Sequence, residues 1–493
     1  MSIRPLHARS HSLSDVAGFL DVAGPKRDVE ITGISLSTQE LVDGDLFVAV
    51  QGSRSHGIEF IDKDMHIAAL LTDPQGASKA PQEIPLLVVN DPKSRLGDFS
   101  SWFYGKPFSS MTTVGITGTN GKTTTATLLH QLWRMENRTS GIIGTTGIEI
   151  AGESYPSPLT TPEASQLQAL GAAMLERHTT HCVMEVSSHS LVQKRVAGIH
   201  FAISAFTNLT QDHLDFHKTM DAYFAAKSLL FTTEYSDIGF INIDDPYGEK
   251  LFTRHDIPMV SVSRENRKAA WHYVHIEPVR GGYRVALRGS GGVLIEGMLP
   301  LVGAHNLDNA LMAIAIAAET GIDPLAIASH MEKLHGPAGR LEKIDLGQKF
   351  LALVDYAHSP DAVERVLAAV SEITPGRVIA VLGCGGDRDA SKRPLMGSAL
   401  VDGSDFAVMT SDNPRSEEAE DILRQMQGSH EAGPHLAIEV DRRGAIAIAV
   451  SEAGEGDSVV VLGKGHEVGQ EIKGKKYPFD DRIELARAIE NLG

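Results

Sequence analysis

Short apolar runs separated by polar turn residues divide the chain into stretches in which strand and helix patterns alternate. In the first stretch, the runs at residues 46–50 and 86–89 alternate with Gly, Pro and Asp turns, which predicts a small α/β domain. A segment containing Gly105 and Pro107 precedes the next apolar run, at residues 112–116. We therefore place a boundary near residue 110 and predict a first domain over residues 1–109.

The central stretch has further apolar runs with helical patterns between them, at residues 182–186, 203–209 and 239–243. This alternation is typical of a doubly wound parallel sheet. Between residues 271 and 297, short β patterns are separated by Gly-Gly turns, which predicts a small antiparallel appendage. An Ala-, Leu- and Ile-rich run at 305–319 predicts a mostly buried helix. Pro337 and nearby glycines then break the pattern, so the second domain is predicted over residues 110–336.

The last stretch again alternates helical patterns with apolar runs, at residues 350–354, 378–382, 406–409 and 459–462. Two of its helices are predicted from residue 360 and over residues 416–426. This pattern predicts a Rossmann-like α/β domain over residues 337–493. The predicted fold class is therefore α/β with three domains, of which the central one is a doubly wound parallel sheet carrying a small β appendage.

Composition narrows the class of protein without defining its chemistry. A chain of 493 residues is too long for one core, and the usual domain size also favours about three domains. A net charge of −18 argues against a nucleic-acid surface. No apolar run of about 18 residues predicts a membrane span, and residues 1–11 lack the apolar core of a secretory signal. Cys182 and Cys384 form no metal-type pair, which favours a reducing, cytoplasmic compartment.

The most informative segment is a Gly-x-x-Gly-Lys-Thr-Thr sequence at residues 118–124, between an apolar run and a helical pattern that reaches residue 135. Glycines let backbone N–H groups turn inward around phosphate oxygens, and the helix directs its positive end at the same anion. Lys122 would then reach the β- and γ-phosphates of ATP, and the Thr123 hydroxyl would bind Mg²⁺. The spacing is shorter than that of the GTPases and common ATPases.

Several further motifs follow in order along the chain. They are Glu185-Val-Ser-Ser-His189, Thr207-Asn208-Leu209, Asp212-His213-Leu214-Asp215-Phe216-His217, Tyr223-Phe224-Ala225-Ala226-Lys227, His305-Asn306-Leu307-Asp308-Asn309, Gly339-Arg340-Leu341-Glu342, Asp355-Tyr356-Ala357-His358, Asp412-Asn413-Pro414-Arg415 and Gly463-Lys464-Gly465-His466-Glu467. With the phosphate loop they resemble the Mur ligase family, and within it the members that add the third residue of the cell-wall precursor peptide. The resemblance covers nearly the whole chain and implies a UDP-binding first domain, a central ATPase domain and an amino-acid-binding last domain.

The resemblance implies an ATP site and a magnesium site. The ATP contacts would be Gly118, Thr119, Asn120, Gly121, Lys122, Thr123, Thr124, Asn309, Arg340 and Asp355. The metal ligands would be Thr123, Glu185, His213 and Lys227, with Lys227 carbamylated by CO₂ to N6-carboxylysine. Lys122, Lys227, Glu185 and His213 would be the catalytic residues.

Each of these roles has a plainer alternative. Asp355 could cap the helix predicted from residue 360, and His213 could be an ordinary loop histidine. A lysine in an Ala-rich helix is by default a solvated charge, but the apolar setting of Lys227 is consistent with a partly buried site. Burial would favour the neutral amine that reacts with CO₂.

The resemblance also implies where the precursor and the amino acid bind. The contacts of the precursor UDP-N-acetylmuramoyl-L-alanyl-D-glutamate would be Ser37, Thr160, Thr161, Ser187, Gln193 and Arg195, with residues 42–49 and 53–57 near the uridine diphosphate. The amino-acid contacts would be Arg388, Asp412, Asn413, Arg415, Gly463 and Glu467. Arg415 would pair with the distal carboxylate of meso-2,6-diaminopimelate, which lysine lacks, and Glu467 with the distal ammonium. Alternatively, Arg415 belongs to the first turn of the helix at 416–426, although an Arg at a helix N-terminus is electrostatically unfavourable.

The implied reaction is an ATP-dependent amide ligation through an acyl phosphate, catalysed by a monomer without nucleic-acid or membrane partners. A lysine-adding ligase of the same family and a folylpolyglutamate synthetase are the nearest alternatives, but folate enzymes lack the UDP-binding first domain. A nucleotide-dependent regulator or transport ATPase would account for the phosphate loop alone. It would not account for His213, Lys227 and the Asp-Asn-Pro-Arg motif.

Overall fold

The computed structural model describes residues 3–7, 9–52, 55–62, 64–254 and 256–492. The chain forms two compact units, one made of Met1–Ala270 and Met312–Ile322 and the other of Trp271–Leu311 and Asp323–Gly493. The boundaries predicted near residues 110 and 336 fall inside these units, so the division into three domains stays a prediction. Among the described residues, no helix is long and apolar enough to cross a membrane.

The first unit begins with a small four-stranded parallel sheet, in the order Gly33–Ser35, Asp45–Ala49, Ala69–Thr72 and Leu86–Val88. The strands His11–Ser12 and Glu30–Ile31 form a separate antiparallel pair. The helices of this region are Leu13–Leu20, Pro74–Ala77 and Pro92–Phe103. Leu46, Leu71 and Phe99 are among the apolar side chains of its core. The small α/β fold predicted for this region is confirmed.

A larger sheet follows in the same unit. Its strand order is Glu153–Tyr155, Gly147–Ile150, Ser140–Gly144, His181–Glu185, Thr112–Thr117, Phe201–Phe206, Ser236–Asn242 and Met259–Ser263. The first two strands in this order are antiparallel additions, and the others run parallel. The helices are Lys122–Met135, Ala164–Glu176, Ser188–Val192, Leu214–His217, Met220–Ser228 and Pro246–Phe252. The carboxyl ends of the parallel strands Thr112–Thr117, His181–Glu185 and Phe201–Phe206 share one edge, where ligands bind in such sheets.

The second unit contains the predicted antiparallel appendage, with the strands Trp271–Val279, Gly282–Arg288 and Leu294–Leu299. The helix Ala304–Glu319 runs from this unit into the first, and Pro324–His330 follows it. The rest of the unit has a six-stranded sheet in the order Glu342–Lys343, Leu351–Asp355, Ser458–Leu462, Val378–Cys384, Phe406–Ser411 and Leu436–Ile438. Only Glu342–Lys343 is antiparallel to its neighbour. The flanking helices are Pro360–Glu372, Arg393–Asp402, Ala419–Gln427, Arg442–Glu452 and Asp481–Glu490.

A β-hairpin late in the chain makes one helix begin later than predicted. Its strands are Gly469–Ile472 and Lys475–Pro478. The Arg415 N–H donates to the carbonyl of Glu471 at 3.0 Å, and the Lys473 N–H donates to the carbonyl of Arg415 at 2.6 Å. Because the hairpin holds this backbone in a left-handed conformation at Arg415, with φ of 52°, the helix predicted over 416–426 begins only at Ala419. The prediction of its start was wrong.

Candidate functional site

The predicted phosphate loop follows the strand Thr112–Thr117 and leads into the helix Lys122–Met135. Gly118 and Gly121 both have positive φ, 152° and 85°. A Cβ on Gly118 would lie 1.9 Å from the hydroxyl oxygen of Thr207, so only glycine fits there. The Lys122 ammonium donates to the carbonyls of Gly118 and Thr119, at 2.9 and 3.0 Å, and so curls back over the loop. A glycine-rich loop before a helix N-terminus fits a phosphate group.

The motif Thr207-Asn208 lies directly against this loop. The Asn120 N–H donates to the Asn208 side-chain oxygen at 2.9 Å, and the Thr207 hydroxyl donates to the Asn120 carbonyl at 2.6 Å. The Thr119 N–H donates to the Asn208 carbonyl. The neighbouring strand therefore holds the loop in its turned conformation.

Glu185 lies at the carboxyl end of its strand and is 1% exposed. One carboxylate oxygen accepts from the Thr123 hydroxyl at 3.0 Å and the Thr145 hydroxyl at 3.2 Å, and the other accepts from the Thr145 N–H at 2.8 Å. The Thr123 hydroxyl and the Glu185 carboxylate are hard oxygen donors of the type that Mg²⁺ prefers. They therefore fit the predicted magnesium site. Thr145 was not predicted, because no motif marks it.

Lys227 is 1% exposed, which removes the alternative of a solvated surface charge. Its nitrogen donates to the Gly118 carbonyl at 2.7 Å and lies 4.8 Å from the ring centroid of Tyr223. No carboxylate lies within ion-pair distance of it in the described part of the chain. Burial, and next the charge of Lys122, hold the pKa of Lys227 well below its ordinary value, although Asp212 acts in the opposite direction. The structure thus places a buried lysine with a lowered pKa beside the phosphate loop.

His213 is exposed and does not contact Glu185 or Lys227 directly. Its ring lies 4.9 Å from that of His189 and 6.1 Å from that of Tyr223, between ring centroids, and its nitrogen is 3.4 Å from Asp212. The described residues include no group of three or more His, Cys, Asp or Glu side chains that could hold a metal. The predicted ligand set contains only two such residues, Glu185 and His213, so its metal-binding role stays a prediction.

Most of the predicted precursor contacts surround Glu185. The Thr161 hydroxyl donates to the Glu185 carbonyl at 2.8 Å and accepts from the Ser187 N–H at 3.1 Å. The Thr160 hydroxyl is 3.0 Å from that of Thr145. Arg195 donates to the Thr161 carbonyl at 3.1 Å and lies 2.9 Å from a carboxylate oxygen of Glu163.

For two other predicted precursor contacts, Gln193 and Ser37, the described part of the structure gives no side-chain hydrogen bond to this group. Gln193 ends the helix Ser188–Val192. Ser37 caps a short turn by accepting from the Gln39 N–H at 3.3 Å. In the predicted segment 53–57, Ser53 and Arg54 lie outside the described residues. The uridine diphosphate contacts therefore stay predictions.

The second unit contains the remaining predicted ATP contacts. Asn309 is buried in the helix Ala304–Glu319 and donates to the Asn306 side chain at 3.1 Å. The Arg340 guanidinium lies 5.0 Å from the ring centroid of Tyr356.

Asp355 accepts from the N–H groups of Leu341 and Ala357, at 2.7 and 2.8 Å, while burial raises its pKa. The alternative that Asp355 caps a helix is wrong, because Ser359 occupies that position before Pro360–Glu372.

The predicted amino-acid contacts all line one cavity of about 450 Å³, within the second unit. They are Arg388, Asp412, Asn413, Arg415, Gly463 and Glu467. The cavity lies at the carboxyl ends of the strands Val378–Cys384, Phe406–Ser411 and Ser458–Leu462. This is the edge at which parallel sheets bind ligands. The structure thus brings together residues that are widely separated along the chain.

Arg415 is half-buried at the cavity wall. Its guanidinium donates to the Gly386 carbonyl at 2.5 Å and lies 3.6 Å from a carboxylate oxygen of Glu471. Arg388 is exposed and has no ion pair among the residues that the structure describes. The cavity therefore offers two guanidinium groups to an anionic ligand. Because Arg415 precedes the helix and is held by the hairpin, its assignment to a first helical turn is wrong.

A fully buried ion pair lies beneath the cavity and was not predicted. Arg442 and Asp481 are 0% exposed and form two hydrogen bonds, at 2.7 and 2.6 Å. Arg442 also donates to the carbonyls of Ser411 and Leu462, at 3.3 and 2.8 Å, which are the last residues of two strands that reach the cavity. The pair thus ties these strand ends together.

Arg442→Met should lower the free energy of unfolding by about 3–5 kcal/mol, because the Asp481 carboxylate would stay buried without its partner. Arg424→Met is the matched control, since Arg424 is 74% exposed and its one ion pair within the described part of the chain is with Asp421, so it should cost less than about 1 kcal/mol. Urea denaturation of both variants measures the difference. Equal losses in the two variants would contradict the role of the buried pair.

Family models, protein sequences and a solved structure similar to this chain are known. The model of the Mur ligase middle domain matches residues 116–317, and that of the Mur ligase glutamate ligase domain matches residues 339–465. Two similar proteins, from Streptomyces avermitilis and Streptomyces coelicolor, are each named UDP-N-acetylmuramoyl-L-alanyl-D-glutamate–2,6-diaminopimelate ligase. They are 44% and 45% identical to this chain, over 99% of its length and 98% of theirs. A solved structure of a protein with the same name is 30% identical, with a TM-score of 0.77, over 98% of this chain and 99% of the other.

Proposed function

The chain belongs to the Mur ligase family, and we propose that it joins meso-2,6-diaminopimelate to UDP-N-acetylmuramoyl-L-alanyl-D-glutamate with cleavage of ATP to ADP and phosphate. Both the family resemblance and the predicted α/β fold class are confirmed. The protein is accordingly an ATP-dependent, amide-forming ligase of cell-wall precursor synthesis. The observation that carries the choice of amino acid is the cavity of the second unit, whose wall includes Arg415, Asn413 and Glu467.

The cavity matches the charges of diaminopimelate. This amino acid has a carboxylate and an ammonium group at each end, whereas lysine lacks the distal carboxylate. The Arg415 guanidinium offers a charge-assisted hydrogen bond to that carboxylate, and the Glu467 carboxylate accepts from the distal ammonium. Burial raises the pKa of Glu467, but the hydrogen bond from Asn413 and the charge of Lys464 lower it by more. The pKa of Glu467 therefore lies below its usual range. Glu467 is therefore ionised and ready to bind a cation at neutral pH.

Ligation needs activation, because carboxylate and amine do not condense in water. A carboxylate oxygen of D-glutamate attacks the γ-phosphorus of ATP, ADP leaves, and an acyl phosphate results. The amine nitrogen of diaminopimelate then attacks the acyl carbon and expels phosphate. The backbone N–H groups after Gly118 and the Lys122 ammonium would hold the phosphates and neutralise charge that develops during transfer.

The Thr123 hydroxyl and the Glu185 carboxylate would hold Mg²⁺, with His213 a further candidate. When bound, this ion would offset the negative charge of the phosphates. Because Thr145, Thr160, Thr161 and Ser187 surround Glu185, the same strand end would also place the muramoyl peptide near the phosphate loop. Much of the protein's contribution would be this placement of reacting groups.

Lys227 is proposed to carry a carbamate. In the neutral form of Lys227, the amine nitrogen attacks the carbon of CO₂, a C–N bond forms as one C=O π bond opens to an oxyanion, and one N–H proton is released to solvent, so that a neutral amine becomes an anionic carbamate. The support is its burial beside the Gly118 carbonyl, with no carboxylate within ion-pair distance among the described residues. The new anion would be a further ligand of the metal ion that Thr123 and Glu185 would hold.

The protein is further proposed to be a cytoplasmic monomer.

Other functions would explain fewer of the features of this protein. A regulator or transport ATPase would need the phosphate loop but not a cavity lined by Arg388, Arg415 and Glu467. The relatives named above do not favour the lysine-adding ligase, and a folylpolyglutamate synthetase would not need the four-stranded sheet that begins the first unit. ATP hydrolysis that requires both the UDP-linked precursor and an amino acid would separate a ligase from an ATPase.

Arg415→Ala should lose far more activity with meso-diaminopimelate than with L-lysine. Removing one partner of a desolvated charge pair costs about 2–5 kcal/mol, which is about thirty-fold to several thousand-fold in kcat/KM. Arg424→Ala is the control, because Arg424 is exposed and lies outside the cavity. The measurement is kcat/KM for both amino acids in the wild type and both variants. A wild type that uses the two amino acids equally, or an unchanged ratio in Arg415→Ala, would exclude this role.

A further inference from the structure

Lys464 is a buried lysine beside the amino-acid cavity, and the reaction described above gives it no role. It follows the strand Ser458–Leu462 and is 0% exposed. Its ammonium donates to the Asn413 side-chain oxygen at 3.1 Å and to a Glu467 carboxylate oxygen at 3.2 Å, and it lies 3.7 Å from Asp412. A buried cation is retained where it is paired and hydrogen-bonded. All of these partners are residues of the cavity wall.

The Asn413 side chain has one orientation that satisfies its neighbours. Its oxygen accepts from the Lys464 ammonium and from the Glu471 N–H, the latter at 2.9 Å. Its nitrogen donates to the Glu467 carboxylate at 3.0 Å. If the amide were reversed, its N–H₂ would meet two donors and its oxygen would meet a carboxylate. Lys464 and the Glu471 N–H together therefore fix which group Asn413 presents to Glu467.

Glu467 is held through only one of its two carboxylate oxygens. Oε2 accepts from both Asn413 and Lys464, whereas Oε1 has no hydrogen bond within the described part of the chain. The side chain is 37% exposed and lines the cavity. The Lys464 ammonium lies 3.2 Å from Oε2 of Glu467 and 3.7 Å from Asp412, so it faces away from the free Oε1. This arrangement suits an ammonium group at Oε1.

We infer that Lys464 is a positioning residue that, through Asn413 and Glu467, fixes the acceptor for the distal ammonium of the incoming amino acid. The inference rests on the proposed function, because it assigns that ammonium to Glu467. Lys464 does not line the cavity and acts through its two partners. Its loss should therefore weaken amino-acid binding and leave the ATP and precursor sites unchanged.

Lys464→Met should raise KM for meso-diaminopimelate by about ten- to a hundredfold, as expected when a hydrogen bond to a charged group is lost. KM for ATP, KM for the precursor and kcat should each change by less than about threefold. Lys349→Met is the matched control, because Lys349 is 78% exposed in the same unit and, among the residues that the structure describes, forms an ion pair with Glu455 alone. An unchanged KM for the amino acid, or equal rises in all three KM values, would overturn the inference.

A double-mutant cycle separates positioning from a merely structural role. With Glu467→Gln already present, Lys464→Met should change KM for the amino acid much less than in the wild type, because the two side chains act as one unit. With Arg388→Ala present, the effect should be undiminished, since Lys464 and Arg388 share no described contact. Independent effects of Lys464→Met and Glu467→Gln would overturn the inference.

Folding is checked by thermal unfolding of each variant. If Lys464→Met does not fold, Lys464→Gln, which keeps one donor, takes its place in the cycle. Failure of both to fold would also overturn the inference, because the lysine would then serve the stability of the unit. If the wild type does not attach diaminopimelate to the precursor, the proposed function itself fails. If the wild type does attach diaminopimelate, but KM for diaminopimelate is the same in Lys464→Met as in the wild type, only the role of Lys464 is refuted.

Discussion

Lys122→Ala is expected to lower kcat by about a thousandfold or more without preventing folding. The Lys122 ammonium follows the two turned glycines and donates to the Gly118 and Thr119 carbonyls, so it lies over the loop whose N–H groups would hold a phosphate. Burial lowers the pKa of Lys122, while the charges of Glu185 and Asp212 act in the opposite direction. A half-buried cation with this geometry adds charge stabilisation that neither solvent nor a neighbouring side chain can replace.

The measurement is single-turnover ADP formation in the presence of the precursor and diaminopimelate. Lys79→Ala is the control and should leave kcat unchanged, because Lys79 is half-exposed and its ion pair in the described ranges is with Glu59. Circular dichroism would establish that Lys122→Ala keeps its fold. A folded Lys122→Ala protein with turnover near that of the wild type would exclude the phosphate assignment.

Lys227→Ala is expected to be nearly inactive, and a small carboxylate such as acetate should restore part of the activity. The reason is that alanine removes the amine that CO₂ would convert to an anion, and a free carboxylate of similar size can occupy the space. Lys250→Ala is the control, because Lys250 is exposed in the same unit and contacts the Phe224 ring and Asp221. Two outcomes would argue against a carbamate. Either acetate restores no activity to Lys227→Ala, or it restores activity to Lys122→Ala by the same factor.

The pKa of Lys227 gives the carbamate an expected dependence on pH. Burial and the Lys122 charge lower this pKa, so the neutral amine persists further below pH 10.5 than it would in an exposed lysine. As the pH falls through the lowered pKa, the amine takes up a proton and can no longer attack CO₂. Activity of CO₂-depleted enzyme should therefore recover on addition of bicarbonate at neutral or alkaline pH, and recover less in acid. Carbon-13 NMR with labelled bicarbonate would detect the carbamate directly.

The parts of the site that sequence could predict are those carried by contiguous motifs. The phosphate loop, the strand end at Glu185 and the cavity residues around Asn413 are each coded by a few adjacent residues after an apolar run. The amino-acid contacts were implied by the family resemblance and not by the alternating pattern. The structure brings all of them to one cavity of the second unit, at the carboxyl ends of parallel strands.

The parts that sequence could not predict depend on partners that are distant along the chain. Arg442 and Asp481 are separated by 39 residues, and neither belongs to a motif. Lys464 lies inside a motif, but its neighbour Asn413 is 51 residues away, so the motif alone did not reveal the contact. The start of the helix Ala419–Gln427 was misplaced because the later hairpin competes for the backbone at Arg415. Helical propensity is a local property and does not include such competition.

The central claim is that this chain couples ATP cleavage to the attachment of diaminopimelate to the muramoyl dipeptide. The most direct test is mass spectrometry of the UDP-linked product, with ADP measured in parallel and each substrate omitted in turn. We predict one product, heavier than the precursor by one diaminopimelate residue, formed with one ADP per amide bond and absent when any substrate is omitted. ADP formation that proceeds without the precursor or the amino acid, or a precursor whose mass does not change, would contradict the account.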